Sequence, residues 1–136
     1  MTEPDQLTTA MRLLSNDTFD SKCAFRPIMD QVTSRWATLI LAALLTGPHR
    51  FSALHARVGG ISQKMLSQNL KALARNGLVE REVEPTIPPQ VTYSLTDLGR
   101  SLAGPLTDLL SWFGRHADEL FAAHTDYDRR HTPAPR

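Results

Sequence analysis

One stretch of the sequence places amine, amide and hydroxyl side chains at spacings that bring them to one face of a helix. The stretch begins at Ser62, whose hydroxyl can cap a helix, and ends at Gly77. At about 100° per residue its polar members fall within a roughly 100° arc. These members are Lys64, Ser67, Gln68, Lys71 and Arg75. Leu66, Leu70 and Leu73 fall on the opposite side, so the pattern predicts one face for packing and one for a ligand.

The polar face suits double-stranded DNA. A glutamine can bond both positions of an adenine edge, and a lysine can reach guanine acceptors or phosphates. Ser62, Gln63 and the free amides of the first turn can bind a phosphate, while Lys71, Arg75 and Arg57 would supply salt-dependent contacts to the backbone. The predicted DNA-binding residues are Ser62, Gln63, Lys64, Ser67, Gln68, Lys71, Arg75, Arg57 and, on the hairpin described next, Gln90. Because most surface helices are charged, the flanking elements must decide between this hypothesis and a merely solvated face.

The flanking sequence predicts the order of a winged helix-turn-helix. A short helix from Phe51 to Arg57 and a turn at Gly59-Gly60 come before the polar helix. After it, residues 78–84 and 91–95 are rich in Val and Tyr and predict two strands. We therefore expect a mainly α fold with a small antiparallel β-hairpin as the wing.

The remaining elements divide the chain into four segments. Residues 1–22 are expected to form an N-terminal arm with a short helix at 7–14, and residues 23–97 the winged helix-turn-helix domain. Within that domain, Pro27 to Val32 predicts a short helix, and the almost wholly apolar stretch 35–45 predicts a buried central helix. Residues 98–124 predict a C-terminal helix after the cap Thr96, and the polar, proline-containing residues 125–136 predict a disordered tail.

Composition narrows the class of protein. The chain has 136 residues, 41% hydrophobic residues and a formal net charge of +1, values that fit a globular domain. No apolar run approaches the roughly 20 residues that cross a bilayer, and the first 15 residues lack the pattern of a secretion signal. We therefore expect a cytoplasmic protein without a membrane partner. A single cysteine excludes a disulfide within one chain, but a bond between the Cys23 residues of two chains stays open.

Taken together, the motifs resemble HxlR-type winged-helix regulators. The matching stretches are Cys23 to Trp36, Gly47 to Phe51, Gly60 to Ser67, Leu70 to Leu73, Gly77 to Arg81, Pro85 to Tyr93 and Leu95 to Gly99. The resemblance implies a homodimer joined by the N- and C-terminal helices, with recognition helices in successive major grooves of a pseudo-palindromic operator. It also implies transcriptional control, often of a neighbouring gene. The chain departs from the family at Gln90, where Arg or Lys is usual, and at Ala24, where Pro is usual.

Cys23 has two interpretations. The resemblance implies a thiol sensor for oxidants or electrophiles, and the nearby Lys22 and Arg26 would favour the reactive thiolate. The alternative is a small packed thiol, which is how free cysteines usually behave.

The other candidate groups favour structural roles. His49 and His55 are six residues apart and His116 and His124 eight, so neither pair has the spacing of a helical metal site, and we expect no metal or cofactor. There is no nucleophile elbow or Gly-rich phosphate loop in the sequence, so an enzyme is not expected.

Two alternative functions remain open. Trp36 and Phe51 are expected in the core, and Trp112 and Phe113 at the dimer interface, although the four aromatics could instead line a ligand pocket. One alternative is therefore a regulator with a small-molecule pocket at the dimer interface. The other is a winged-helix protein-interaction module, since the fold alone does not guarantee DNA binding.

Overall fold

The computed structural model describes residues 18–133, and the helix predicted at residues 7–14 lies outside them. The elements are α1 (Arg26–Val32), α2 (Arg35–Leu44), β1 (His49–Arg50), α3 (Phe51–Arg57), α4 (Gln63–Arg75), β2 (Val79–Glu84), β3 (Gln90–Leu95), α5 (Asp97–Arg115) and α6 (Ala117–His131). This order confirms the predicted winged helix-turn-helix. None of the described helices has the length and apolarity required to cross a membrane.

Helix α2 lies at the centre of the protein, as predicted for an apolar segment. It contacts α1, α3, α4, α5 and β3, and its residues Ala37, Ile40 and Leu41 have no exposed surface. Trp36 and Phe51 are partly buried and pack against this core, in agreement with their predicted role. The helices and strands around α2 are therefore packed on one continuous apolar core.

The sheet has one more strand than the sequence predicted. Strands β2 and β3 form the expected antiparallel hairpin, in register from Val79 opposite Leu95 to Glu84 opposite Gln90. Strand β1 pairs with the other edge of β3, giving the strand order β1-β3-β2. A two-residue strand is too short to show an alternating pattern, so only the fold reveals it.

A compact set of hydrogen bonds joins the end of α4 to the start of α5. Gly77 follows the C-cap of α4 and has a φ of 75°, a value that favours glycine. The Thr96 hydroxyl donates to the Gly77 carbonyl at 2.7 Å and accepts from the Gly99 amide at 2.9 Å. The Thr96 amide donates to the Leu78 carbonyl at 3.1 Å. The segment after α4, the residue before β2 and the start of α5 are thus held together at one point.

The C-terminal region differs from its prediction. Helix α5 ends at Arg115 and a separate helix, α6, continues to His131, so the expected disorder is wrong for residues 125–131. Local interactions explain the helix: acidic residues lie in its first turn and basic residues in its last, matching the helix dipole. Arg130 pairs with Asp126 at 3.0 Å, and the rings of Tyr127 and His131 stack. The polar composition of this segment predicted disorder, but these side-chain pairs stabilise a helix through their spacing, which composition does not record.

Candidate nucleic-acid interface

The N-terminus of α4 is capped as the sequence predicted. The Ser62 hydroxyl accepts a hydrogen bond from the Met65 amide at 3.1 Å, and the Ser62 carbonyl accepts from the Leu66 amide. The amides of Gln63 and Lys64 precede the first helical hydrogen bond, so they point out of the helix without a carbonyl partner in it. With no acidic residue in this turn, the helix end is suited to an anion such as a phosphate.

The structure brings most of the predicted site onto one open surface. The donor face, as we call it, consists of exposed side chains on α4: Gln63, Lys64, Ser67, Gln68, Lys71 and Arg75. On the opposite side, Leu66, Leu70 and Leu73 are at most 1% exposed. The leucines anchor the helix in the core, and this leaves the donor face free in the described part of the chain.

Three predicted residues lie outside the donor face: Ser62, which caps α4 as described above, and two residues on other elements, Arg57 and Gln90. Arg57 is exposed at the end of α3 and lines a separate hollow with Leu39 of α2 and Thr107 of α5. Gln90 is half-buried at the start of β3, opposite Glu84 of β2. The exposed acidic side chain of Glu84 beside Gln90 makes this wing position less favourable for a phosphate than the donor face.

The donor face is bordered on both sides by parts of the fold that sequence patterns did not reveal. On one side a cavity of about 550 Å³ separates it from α1, and the Asn76 side-chain amide donates to Oε1 of Gln31 across 45 residues of sequence at 3.2 Å. On the other side Ser67 and Lys71 share a cavity with Arg81 and Tyr93 of the sheet. No local periodicity connects residues so far apart, so these neighbours required the tertiary structure.

Comparison with known proteins agrees with the winged helix-turn-helix seen in the structure. A family model described as HxlR-like helix-turn-helix matches residues 31–121. The HTH-type transcriptional regulator YtfH of Escherichia coli (strain K12) is 39% identical over 121 residues, which are 89% of this chain and 96% of the relative. The chain belongs to the HxlR-like helix-turn-helix family. The prediction of a DNA-binding transcriptional regulator is therefore confirmed at the level of the family.

Solved structures support the HxlR-like assignment. The putative transcriptional regulator ytfH from Salmonella typhimurium has a TM-score of 0.75 at 41% identity, covering 79% of this chain and 96% of that one. The reduced form of the redox regulator HypR has a TM-score of 0.65 at 30% identity, covering 71% of this chain and 96% of that one. These similarities confirm the winged-helix fold.

Cys23 lies before the part of the chain that matches the HxlR-like family model, in the turn that leads into α1. Its thiol is free and half-buried. Its amide donates to the Asp20 carbonyl and its carbonyl accepts from the Arg26 amide, each at 3.1 Å. The Arg26 guanidinium donates to the Thr18 carbonyl at 3.1 Å. The turn around Cys23 is therefore tied to the first residue of α1.

Histidines contribute no metal centre within residues 18–133, where no group of three or more His, Cys, Asp or Glu side chains comes together. Nδ1 of His49 lies 2.7 Å from the Gly47 carbonyl oxygen, in the turn before β1. His116 stacks on Trp112 with ring centres 4.5 Å apart. Both rings take part in local structure.

Proposed function

We propose that this protein regulates transcription by binding a pseudo-palindromic operator as a homodimer, with the donor face of each α4 in a major groove. The observation that carries the proposal is an exposed set of amines and amides backed by three buried leucines. Such donors match guanine and adenine edges and phosphates, and the open helix N-terminus adds a phosphate site. Met65 is the one large exposed apolar side chain on α4, which favours DNA over a protein as the partner of this surface.

A second copy of the chain is the partner we propose for the apolar surface of α5 and α6. The dimer surface, as we call it, consists of exposed apolar side chains: Leu98, Leu109, Trp112, Phe113, Leu120, Phe121 and Tyr127. A concentration of exposed apolar side chains on two consecutive helices favours an interaction site, and a two-fold axis would place it against itself. The two α4 helices would then contact half-sites about 34–36 Å apart.

The proposed DNA contacts are tested by replacing Lys64 or Gln68 with alanine. Each variant is expected to weaken binding to the operator by about 1–3 kcal/mol, because each removes donors to a base edge, and to weaken binding to unrelated DNA much less. A salt-titrated gel shift with the protein's own upstream region and an unrelated duplex measures both affinities. The matched control is Arg129→Ala, which removes an exposed cation near the end of α6 and should bind like the unmodified protein. Equal losses on both duplexes would show that Lys64 and Gln68 do not contact bases.

A redox response through Cys23 is the second function that we propose. Its support is the similarity to the redox regulator HypR and the position of Cys23 in the turn before α1. The Gln31–Asn76 hydrogen bond joins α1 to the end of α4. Since the chain has one cysteine, a disulfide must form between two chains, and its two thiols would lose two protons and two electrons to the oxidant. Movement of α1 would then shift the recognition helix.

Oxidation with diamide tests this response. The unmodified protein is expected to change its operator affinity by about 5–150-fold, the usual range for coupled sites, and Cys23→Ser is expected to show no change. A non-reducing gel and a gel shift on the same samples measure the crosslink and the affinity. If diamide changed the operator affinity of Cys23→Ser as much as that of the unmodified protein, Cys23 would be a packed thiol and not the sensor.

A further inference from the structure

We propose that the cavity between α1 and α4 binds a small organic anion that carries an apolar ring or chain, and that this ligand competes with DNA. The first part depends only on the cavity. The second part rests on the proposed function, because it requires the donor face to contact an operator.

The walls of the cavity provide an apolar surface of suitable size. Pro27 and Ile28 of α1 face Ala72 of α4 across it, and Ile28 is 44% exposed although large and apolar. The volume of about 550 Å³ lies within the roughly 300–1,000 Å³ that is usual for small-molecule sites. A ring or short alkyl chain would cover Ile28 and gain the free energy of removing apolar surface from water.

The polar groups of the same cavity favour a negative charge. Lys71 and Arg75 line it, and none of its lining residues within the described chain is acidic. A carboxylate can accept charge-assisted hydrogen bonds from both cations. The ligand we infer is therefore an anion and not a neutral or basic molecule.

Gln31 offers a further donor that has no partner in the described part of the chain. Its Oε1 accepts from Asn76 at 3.2 Å, but its Nε2 is buried and makes no hydrogen bond within residues 18–133. Gln31 also lines the cavity, and because a buried donor without a partner costs about 1–3 kcal/mol, a turn of its side chain toward an acceptor that enters the cavity would be favourable. The amide thus selects a ligand with a hydrogen-bond acceptor at the α1 side.

Competition with DNA follows from the shared side chains. Gln68, Lys71 and Arg75 line the cavity and also belong to the donor face. A side chain that binds a carboxylate in the cavity is unavailable to a phosphate or base. An anion of this class would therefore lower operator affinity by mass action.

A titration of the full chain with 2-naphthoate in the absence of DNA tests the site directly. Calorimetry measures the affinity, and the side-chain amide signal of Gln31 in an NMR spectrum reports the location. We expect 2-naphthoate to bind about tenfold more tightly than the neutral naphthalene-2-carboxamide, since hydrogen bonds to charged groups are the stronger ones. Arg75→Gln should lower the affinity about tenfold for the same reason. The matched control, Arg50→Gln, removes an exposed cation outside the cavity and should leave the affinity unchanged.

The results that overturn the proposal are distinct from those that overturn DNA binding. Three results would exclude an anion site in this cavity. The carboxamide could bind as tightly as 2-naphthoate, or Arg50→Gln could lose as much affinity as Arg75→Gln. The NMR shifts could also be confined to elements other than α1 and α4. Displacement of labelled operator DNA by 2-naphthoate is expected if the site is competitive. If 2-naphthoate binds at Gln31 but does not displace the operator DNA, the proposed competition is wrong. If the protein binds no DNA at all, the titration with 2-naphthoate still tests the cavity.

Discussion

Replacement of Gly99 by alanine is expected to lower the free energy of unfolding by about 3 kcal/mol, the upper part of the usual range for overpacking. A Cβ at this position would lie 1.9 Å from the carbonyl oxygen of Leu78 and 2.9 Å from its carbonyl carbon. Both are backbone atoms, so the contact cannot be relieved by rotating a side chain. That carbonyl also accepts the Thr96 amide, and moving it would disturb the hydrogen bonds that join α4, β2 and α5.

Two glycines in the same helix serve as controls. A Cβ at Gly104 or Gly114 meets no atom within 4 Å, so alanine there should stabilise α5 by about 0.5–1 kcal/mol. Urea unfolding followed by circular dichroism compares the three variants. If Gly99→Ala proved as stable as Gly104→Ala, the close approach of α5 to Leu78 would be wrong.

Replacement of Phe113 by glutamate is expected to dissociate the proposed homodimer and weaken operator binding by about 10²–10⁴-fold, the range that simultaneous binding of two sites contributes. Phe113 is 50% exposed and its ring meets Trp112 edge-on at 5.2 Å. A carboxylate facing its own copy across a two-fold axis would lose hydration and repel its partner. Because half of the side chain already meets solvent, the single chain should remain folded.

The control for this experiment is Val83→Glu, which changes an apolar residue of similar exposure, 47%, on the wing. Sedimentation velocity should show a dimer for Val83→Glu and a monomer for Phe113→Glu. Binding to a single half-site by Phe113→Glu should resemble that of the unmodified protein. If Phe113→Glu formed a dimer of unchanged stability, the interface would lie elsewhere on the protein, and our proposal for the dimer surface would be wrong.

The helices were predictable where a local rule was enough. The spacing of Leu66, Leu70 and Leu73 identified the packed face of α4, and the donor face followed as its complement. Ser62 and Thr96 were correctly identified as caps, because a cap bonds an amide only three residues away. Composition failed for residues 125–131 of α6, where the spacing of acidic and basic residues stabilises a helix in a segment whose polar composition suggested disorder.

The sequence by itself determined which side chains α4 presents and which it buries, because the period of a helix relates neighbours along the chain. The tertiary structure alone decided what lies beside them: the carbonyl of Leu78 against Gly99, the side chain of Gln31 against Asn76, and β1 against β3. These pairs are distant in sequence and meet only when the apolar core brings their elements together. No pattern along the chain encodes such contacts, since packing depends on the shape of all the elements at once.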